Sequence, residues 1–244
     1  MGGSGDTGQS SPLRPLPAGF SATVASLHRV AELIVAPARK PQNEIALEAT
    51  RGGFGTPEFP FEGERHQVRV EGAELVHMVG ADERRAPLAS LAAAGEIVAD
   101  LLPSTDELDD VPLAIDPASA AVLANWYDLG EHVLQELVAP APSEDEPTPP
   151  ILWPEHFDIA IEMGAKGVGR RANYGFSPGD EEHPEPYAYV GPWTAEVSGE
   201  LWQARGFRGA ELGYAELLGA PDQRAAALDF FVTRQRALKA EVRR

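Results

Sequence analysis

His156, Asp158 and Glu162 stand close together in the stretch WPEHFDIAIEMG, and Asp158 and Glu162 share the parity of a strand that alternates polar with apolar residues. An imidazole and a carboxylate two residues apart point to one side of a strand. That spacing offers a nitrogen and an oxygen to one divalent metal, and His183 from the acidic run GDEEHPEP would complete the set His156, Asp158 and His183. The trio His156, Asp158 and Glu162 is also the material of acid/base or metal-assisted catalysis. The carboxylates recur: NEIALEATRGGFG places Glu44 and Glu48 114 residues before Asp158 and Glu162. Tyr174, Tyr187 and Tyr189 alternate with smaller residues on nearby strands. Carboxylates walled by aromatic rings suit a cationic or polyhydroxylated small ligand.

Other motifs read as structure. GFSPG (175–179) matches the pattern of a nucleophile elbow, but the residue after the serine is Pro178, which has no N–H for an oxyanion hole, and no helix pattern follows. GAKGVGRR (164–171) leads into a strand pattern rather than a helix N-terminus, so it reads as a hairpin loop and not as a phosphate cradle. GDEEHPEP lacks the ligand spacing of a calcium loop. His28 and His132 fall on helical patterns, and His66 and His77 on strands; all four read as structural. The cations from Arg234 onward lie in the last turns of a helix, where they oppose its dipole.

The elements that must position these groups follow from periodicity. Period-two runs at 65–70, 74–79, 158–163, 172–176 and 186–190 predict half-buried strands. Helical spacing joins Val24, Leu27, Val30, Ala31 and Ile34 after a cap at Ser21. It also joins Val122, Trp126, Leu129, Val133 and Leu137 after Asp116-Pro117, then Leu91 to Leu101, and finally about 222–242. Both long helical patterns that precede the matching strands end at Val-Ala-Pro. The expectation is an α+β protein of two similar helix–antiparallel strands–helix units packed as one pseudo-twofold domain. Its parts are a disordered tail over 1–18, a first unit over 19–102, an acidic, proline-rich linker over 103–117 and a second unit over 118–244, with a second Pro-rich acidic loop at 141–150.

Composition bounds the partners. A net charge of −18 over 244 residues repels phosphate backbones and anionic membrane surfaces, so no nucleic acid and no membrane is expected. There is no cysteine for a disulfide and no apolar run long enough to span a bilayer, and MGGSGDTGQSSPLRPLPAG lacks the pattern of a secretory leader. A cytoplasmic protein is expected, and the Ala, Gly, Pro and Arg richness points to a high-GC bacterial genome.

WPEHFDIAI, YGFSPGDEEHPEPYAYVGPW and WQARGFRGAELGYAELL, preceded by ASLHRVAEL and EIALEATRGGFGTPEFPF, resemble an uncharacterised bacterial domain family over roughly residues 20–240. The resemblance implies the extent of one fold and brings no activity and no catalytic residue. Three readings follow from the residues. The leading one is a small-ligand-binding protein that holds its ligand between the two units through Glu44, Glu48, His156, Asp158, Glu162, Tyr174, Tyr187 and Tyr189. The others are a metal-assisted or acid/base enzyme using His156, Asp158 and Glu162, with a divalent metal as its cofactor, and an acidic module that docks a protein partner.

Overall fold

The longest helix explains the architecture. Helix α3 (Pro117–Val138) starts where expected: Asp116 accepts the Ser119 N–H at 2.9 Å, and Pro117 fills the first turn. Its buried residues include Val122, Leu123, Trp126, Tyr127, Leu129, Val133, Leu134 and Leu137, which cover most of its circumference. A helix that is apolar nearly all round must be enclosed. The computed structural model, which describes residues 11–180, 182–193 and 197–241, encloses it between two sheets and two further helices.

The first sheet comprises β1 (Glu48–Thr50), β2 (Gly53–Gly55), β3 (Phe59–Phe61), β4 (Glu64–Glu71), β5 (Glu74–Val79) and β6 (Asp82–Pro87). Its order is β1-β2-β4-β5-β6, with β3 also paired to β4. The second is a meander in chain order: β7 (Ile151–Trp153), β8 (Asp158–Met163), β9 (Ala172–Ser177), β10 (Tyr187–Pro192) and β11 (Ala210–Gly213). All pairings are antiparallel. The sheets meet edge to edge where Leu47 and Leu152 exchange both backbone hydrogen bonds at 2.9 Å. Helix α1 (Phe20–Val30) runs on through a π turn (Ala31–Val35) and packs against α3, as does α5 (Gln223–Glu241). The short helices α2 (Leu91–Gly95) and α4 (Tyr214–Leu218) close the two halves. Gly130 of α3 lets the second sheet approach, because a Cβ there would meet Ile159 and the Phe176 ring at 2.9 and 3.0 Å. The α+β class is therefore as expected, and no helix among the described residues is long and apolar enough to cross a membrane.

Several details differ from the sequence reading. Residues 1–10 of the expected tail lie outside the described residues, but Leu13 is buried and its N–H donates to Gln223 Oε1 at 2.7 Å, while the Tyr214 hydroxyl donates to the Arg14 carbonyl at 2.7 Å. Helix α1 begins at Phe20 without a side-chain cap, so Ser21 lies inside it. Helix α3, assigned by sequence to the second unit alone, packs on β1 and β2 as well as β8 and β9. At the 114-residue offset, β2 falls on a 3-10 turn (Lys166–Val168) rather than a strand, and Ile45 is exposed where its counterpart Ile159 is buried.

Candidate functional site

The turn between β7 and β8 sets the site. Phe157 has φ +52°, a left-handed conformation that a bulky residue adopts only when its surroundings impose it. Here they do: its ring stacks on His28 at 5.0 Å and meets Phe54 and Tyr127 edge-on at 5.0 and 5.6 Å. Its carbonyl accepts the Tyr127 hydroxyl at 2.6 Å. The anchored turn then launches β8 with Ile159, Ile161 and Met163 buried toward α3, and with Asp158, Ala160 and Glu162 on the opposite, outer face.

Register decides which neighbours share that face. Ala160 pairs with Gly175, and Gly175 with Tyr189; Asn173, Gly175 and Ser177 of β9 therefore lie outward with Tyr187, Tyr189 and Gly191 of β10. Gly175 is the clearance for this arrangement, since a Cβ there would sit 2.6–2.7 Å from the Tyr189 ring and hydroxyl. The Tyr189 ring lies across the glycine, and its hydroxyl donates to Asp158 Oδ2. Asp158 is only 6% exposed, and its other oxygen, Oδ1, is buried with no hydrogen-bond partner. Burial pushes the Asp158 carboxyl above the usual range, and the Tyr189 hydrogen bond and nearby His156 only partly offset this. Burial, reinforced by Asp158, pushes the Tyr189 phenol well up.

The loop after β9 forms the next wall. Gly179 takes φ +104°, and Asp180 Oδ1 accepts the N–H groups of Glu182 and His183 at 2.8 and 2.7 Å. Asp180 Oδ2 accepts the Tyr187 hydroxyl at 2.8 Å. Burial alone would raise the Asp180 carboxyl, but the donors from Tyr187, His183 and Glu182 together hold it below its ordinary value. The His183 ring is buried with Nδ1 3.1 Å from Asp180 Oδ1 and Nε2 3.1 Å from Glu211 Oε2. Phe207 completes the wall, with its ring 6.2 Å from Tyr189 and 6.5 Å from Tyr187.

Together these groups line a cavity of about 400 Å³ with His156, Asp158 and Glu182 at its edges. A second cavity of about 430 Å³ shares His156, Asp158, Asn173 and Tyr189 with it and continues along β8 past Trp153 to Glu162. The two are lobes of one groove over the outer face of the second sheet, with the Asp158–Tyr189 pair at the junction. No lysine or arginine among the described residues lines either lobe. Glu162, at the far end, is held by Arg171, whose Nη2 donates to Oε2 at 2.9 Å. Arg171 is itself buried and also donates to the Glu146 carbonyl at 3.1 Å.

The sequence-predicted residues divide accordingly. His156, Asp158, His183, Tyr187 and Tyr189 share one lobe; Glu162 joins the other, but as half of an ion pair. Glu44 lines a separate cavity of about 440 Å³ beside Pro154, which meets the groove only through Glu155. Glu48, half-buried on β1, has its carboxyl raised by burial and lines neither lobe. Tyr174 faces the other way: it is opposite Val190, is 1% exposed and packs on Phe231 at 6.0 Å. Four carboxylates facing one another between the units are thus not assembled. Nor is the metal set His156, Asp158 and His183, because both His183 nitrogens face carboxylates of its own surroundings. Among the described residues no three His, Asp or Glu side chains converge as metal ligands.

Of the acidic loop, Glu181 lies outside the described residues. Comparison with protein families, characterised proteins and solved structures gives no significant match. The site must be read from its own groups, and three of those escaped the sequence reading. Gly175 and Asn173 were legible by parity once β9 was placed. Phe207 was not, because it comes from an irregular stretch brought in by tertiary packing.

Proposed function

We propose that the protein binds a small organic cation in the groove over its second sheet. The carrying observation is Asp158. A carboxylate 6% exposed, with one oxygen unpartnered and no lysine or arginine among the described residues lining its cavity, leaves negative charge for a ligand to neutralise. Tyr187, Tyr189 and Phe207 add ring faces that attract a cation and any apolar body attached to it. The ligand sits on one face of the second sheet and not between the two units. The two-unit organisation is kept in this reading on the edge-to-edge Leu47–Leu152 pairing alone, without the 114-residue equivalence of 44–55 with 158–169.

The test is calorimetric titration of hexylammonium against the neutral isostere hexanol, with wild type and Asp158→Asn. Binding of the cation alone, lost in the variant, supports the reading; equal binding of the alcohol, or no binding of any cation, overturns it. One observation favours a second reading. A buried carboxyl with a raised proton affinity, hydrogen-bonded by a phenol in an open cleft, is also the chemistry of a general acid/base. That role would fall to Asp158 with Tyr189 rather than to Glu162, whose carboxylate Arg171 holds.

A further inference from the structure

Resting on the cation-binding reading, we infer that the ligand presents N–H donors, as a primary ammonium or a guanidinium, and that Asp158 Oδ1 receives one of them. The two carboxylate oxygens have different fates. Oδ2 takes the Tyr189 hydroxyl, whereas Oδ1 has no donor among the described residues. Three of the polar groups around it are already committed. The Tyr187 hydroxyl donates to Asp180, the His183 ring spans Asp180 and Glu211, and Asn173 Oδ1 accepts the Trp193 indole at 2.6 Å.

A quaternary ammonium would bring charge to the ring faces, but its methyl shell carries no donor and would leave Oδ1 unmet. An N–H cation delivers charge and hydrogen bond at the same atom, and charge-assisted bonds of this kind are the stronger class. Sites that contain a buried polar group needing a partner discriminate sharply against analogues that lack the matching atom. Because Oδ1 has almost no exposed surface, the donor reaches it only as a neighbouring side chain gives way. The Tyr189 ring covers this carboxylate, lying over Gly175 beside Tyr187 and Phe207. Asp180 does not compete for this role, since both its oxygens already accept protein donors.

The experiment compares hexylammonium, hexylguanidinium and hexyltrimethylammonium, matched in chain and charge, by NMR titration of the full chain and of its Asp158→Asn and Tyr189→Phe variants. Hexylammonium and hexylguanidinium are expected to bind at least 10-fold more tightly than hexyltrimethylammonium. The preference should vanish in Asp158→Asn and survive in Tyr189→Phe, which keeps the ring. Equal or tighter binding of hexyltrimethylammonium would overturn the N–H inference and leave cation binding by ring faces intact. Loss of the preference in Tyr189→Phe would move recognition from Asp158 to the phenol and overturn it as well. Silence from all three cations would remove the cation-binding reading itself.

Discussion

On the outer face of the first sheet, Arg69 and Arg85 stand among Glu71, Glu74 and Glu83; on the outer face of the second, Asp158, Asp180 and Glu182 stand among Tyr187, Tyr189 and Phe207. Both faces come from antiparallel strands with alternating side chains, and both carry carboxylates. In the first, Arg85 reaches Glu83, Glu74 and Glu71 at 2.5, 3.0 and 2.9 Å, and Arg69 reaches Glu71 and Glu83 at 3.4 Å. Val76, between the two arginines in the register, is fully buried. That face is closed on itself, with charges neutralised locally and its apolar floor covered by side-chain stems. On the second face Asp180 accepts hydroxyl and amide donors and Asp158 a hydroxyl, while one buried oxygen, Asp158 Oδ1, has no partner among the described residues. The difference separates a solvated surface from a site. Acidic residues alone occur on both faces; what distinguishes the groove is a desolvated carboxylate beside aromatic rings with no lysine or arginine lining it among the described residues.

The largest effect is expected where the second face does have its own cation. Arg171 is 5% exposed and holds Glu162 as well as the carbonyl of Glu146. Arg171→Met would leave those acceptors without their donor; water reaches Glu162, which is 35% exposed, so the cost is about 1–3 kcal/mol. Urea unfolding should show that loss. A change close to zero would mean that Glu162 is as free as Asp158 and would extend the anionic groove to its far end.

How much of this was legible beforehand follows from what alternation can and cannot encode. Period two placed β5 at Glu74–Val79, and it assigned Asp158 and Glu162 to one face and Ile159 and Ile161 to the other. Asp116-Pro117 marked the start of α3 because capping is a local matter of side-chain oxygen and backbone N–H. Alternation fixes parity within a strand but not the register between strands. Tyr174 and Tyr189 were both legible as strand residues, yet the pairing of Val190 with Tyr174 puts one in the core and the other over the groove. Glu44 and Glu48 were grouped with the site by resemblance between two short segments. Burial of α3 under both sheets depends on long-range packing, and so does the approach of Phe207; no local pattern records either.

A middle-sized effect sharpens the contrast through pH. In the folded state the Asp158 carboxyl holds its proton more tightly than the ordinary value near 3.9 expected of the unfolded chain. With the folded pKa raised, the associated stability is fully present below the unfolded pKa and is lost as pH rises through the folded one. Above the unfolded pKa, Asp158 is therefore a liability in the ligand-free protein. Asp158→Asn should melt at a higher temperature than wild type at pH 7, and the gap should close as the pH falls toward 4. A lower melting temperature at pH 7 would show that the carboxylate is already satisfied and would erase the distinction between the two faces.

The smallest effect is expected on the first sheet, and its smallness is what the comparison needs. Arg85 is partly exposed, and its three carboxylate partners are each about a third or more exposed. Its guanidinium is held protonated by the hydrogen bonds it donates to Glu83, Glu71 and Glu74, but charges in contact with water gain little from pairing and are screened by salt. Arg85→Gln keeps a polar side chain over the sheet while deleting the charge. The melting temperature should move less than for Arg171→Met or Asp158→Asn, and the shift should shrink further in 0.5 M sodium chloride. Glu71 and Glu83 would then share the single cation of Arg69 while Glu74 lost its partner, and the added repulsion would appear only at low ionic strength. A large, salt-insensitive loss would show that the first face also stores desolvated charge. Its full complement of arginines would then reflect a need as acute as that of Asp158, and the absence of a cation in the groove would no longer mark it out as a site.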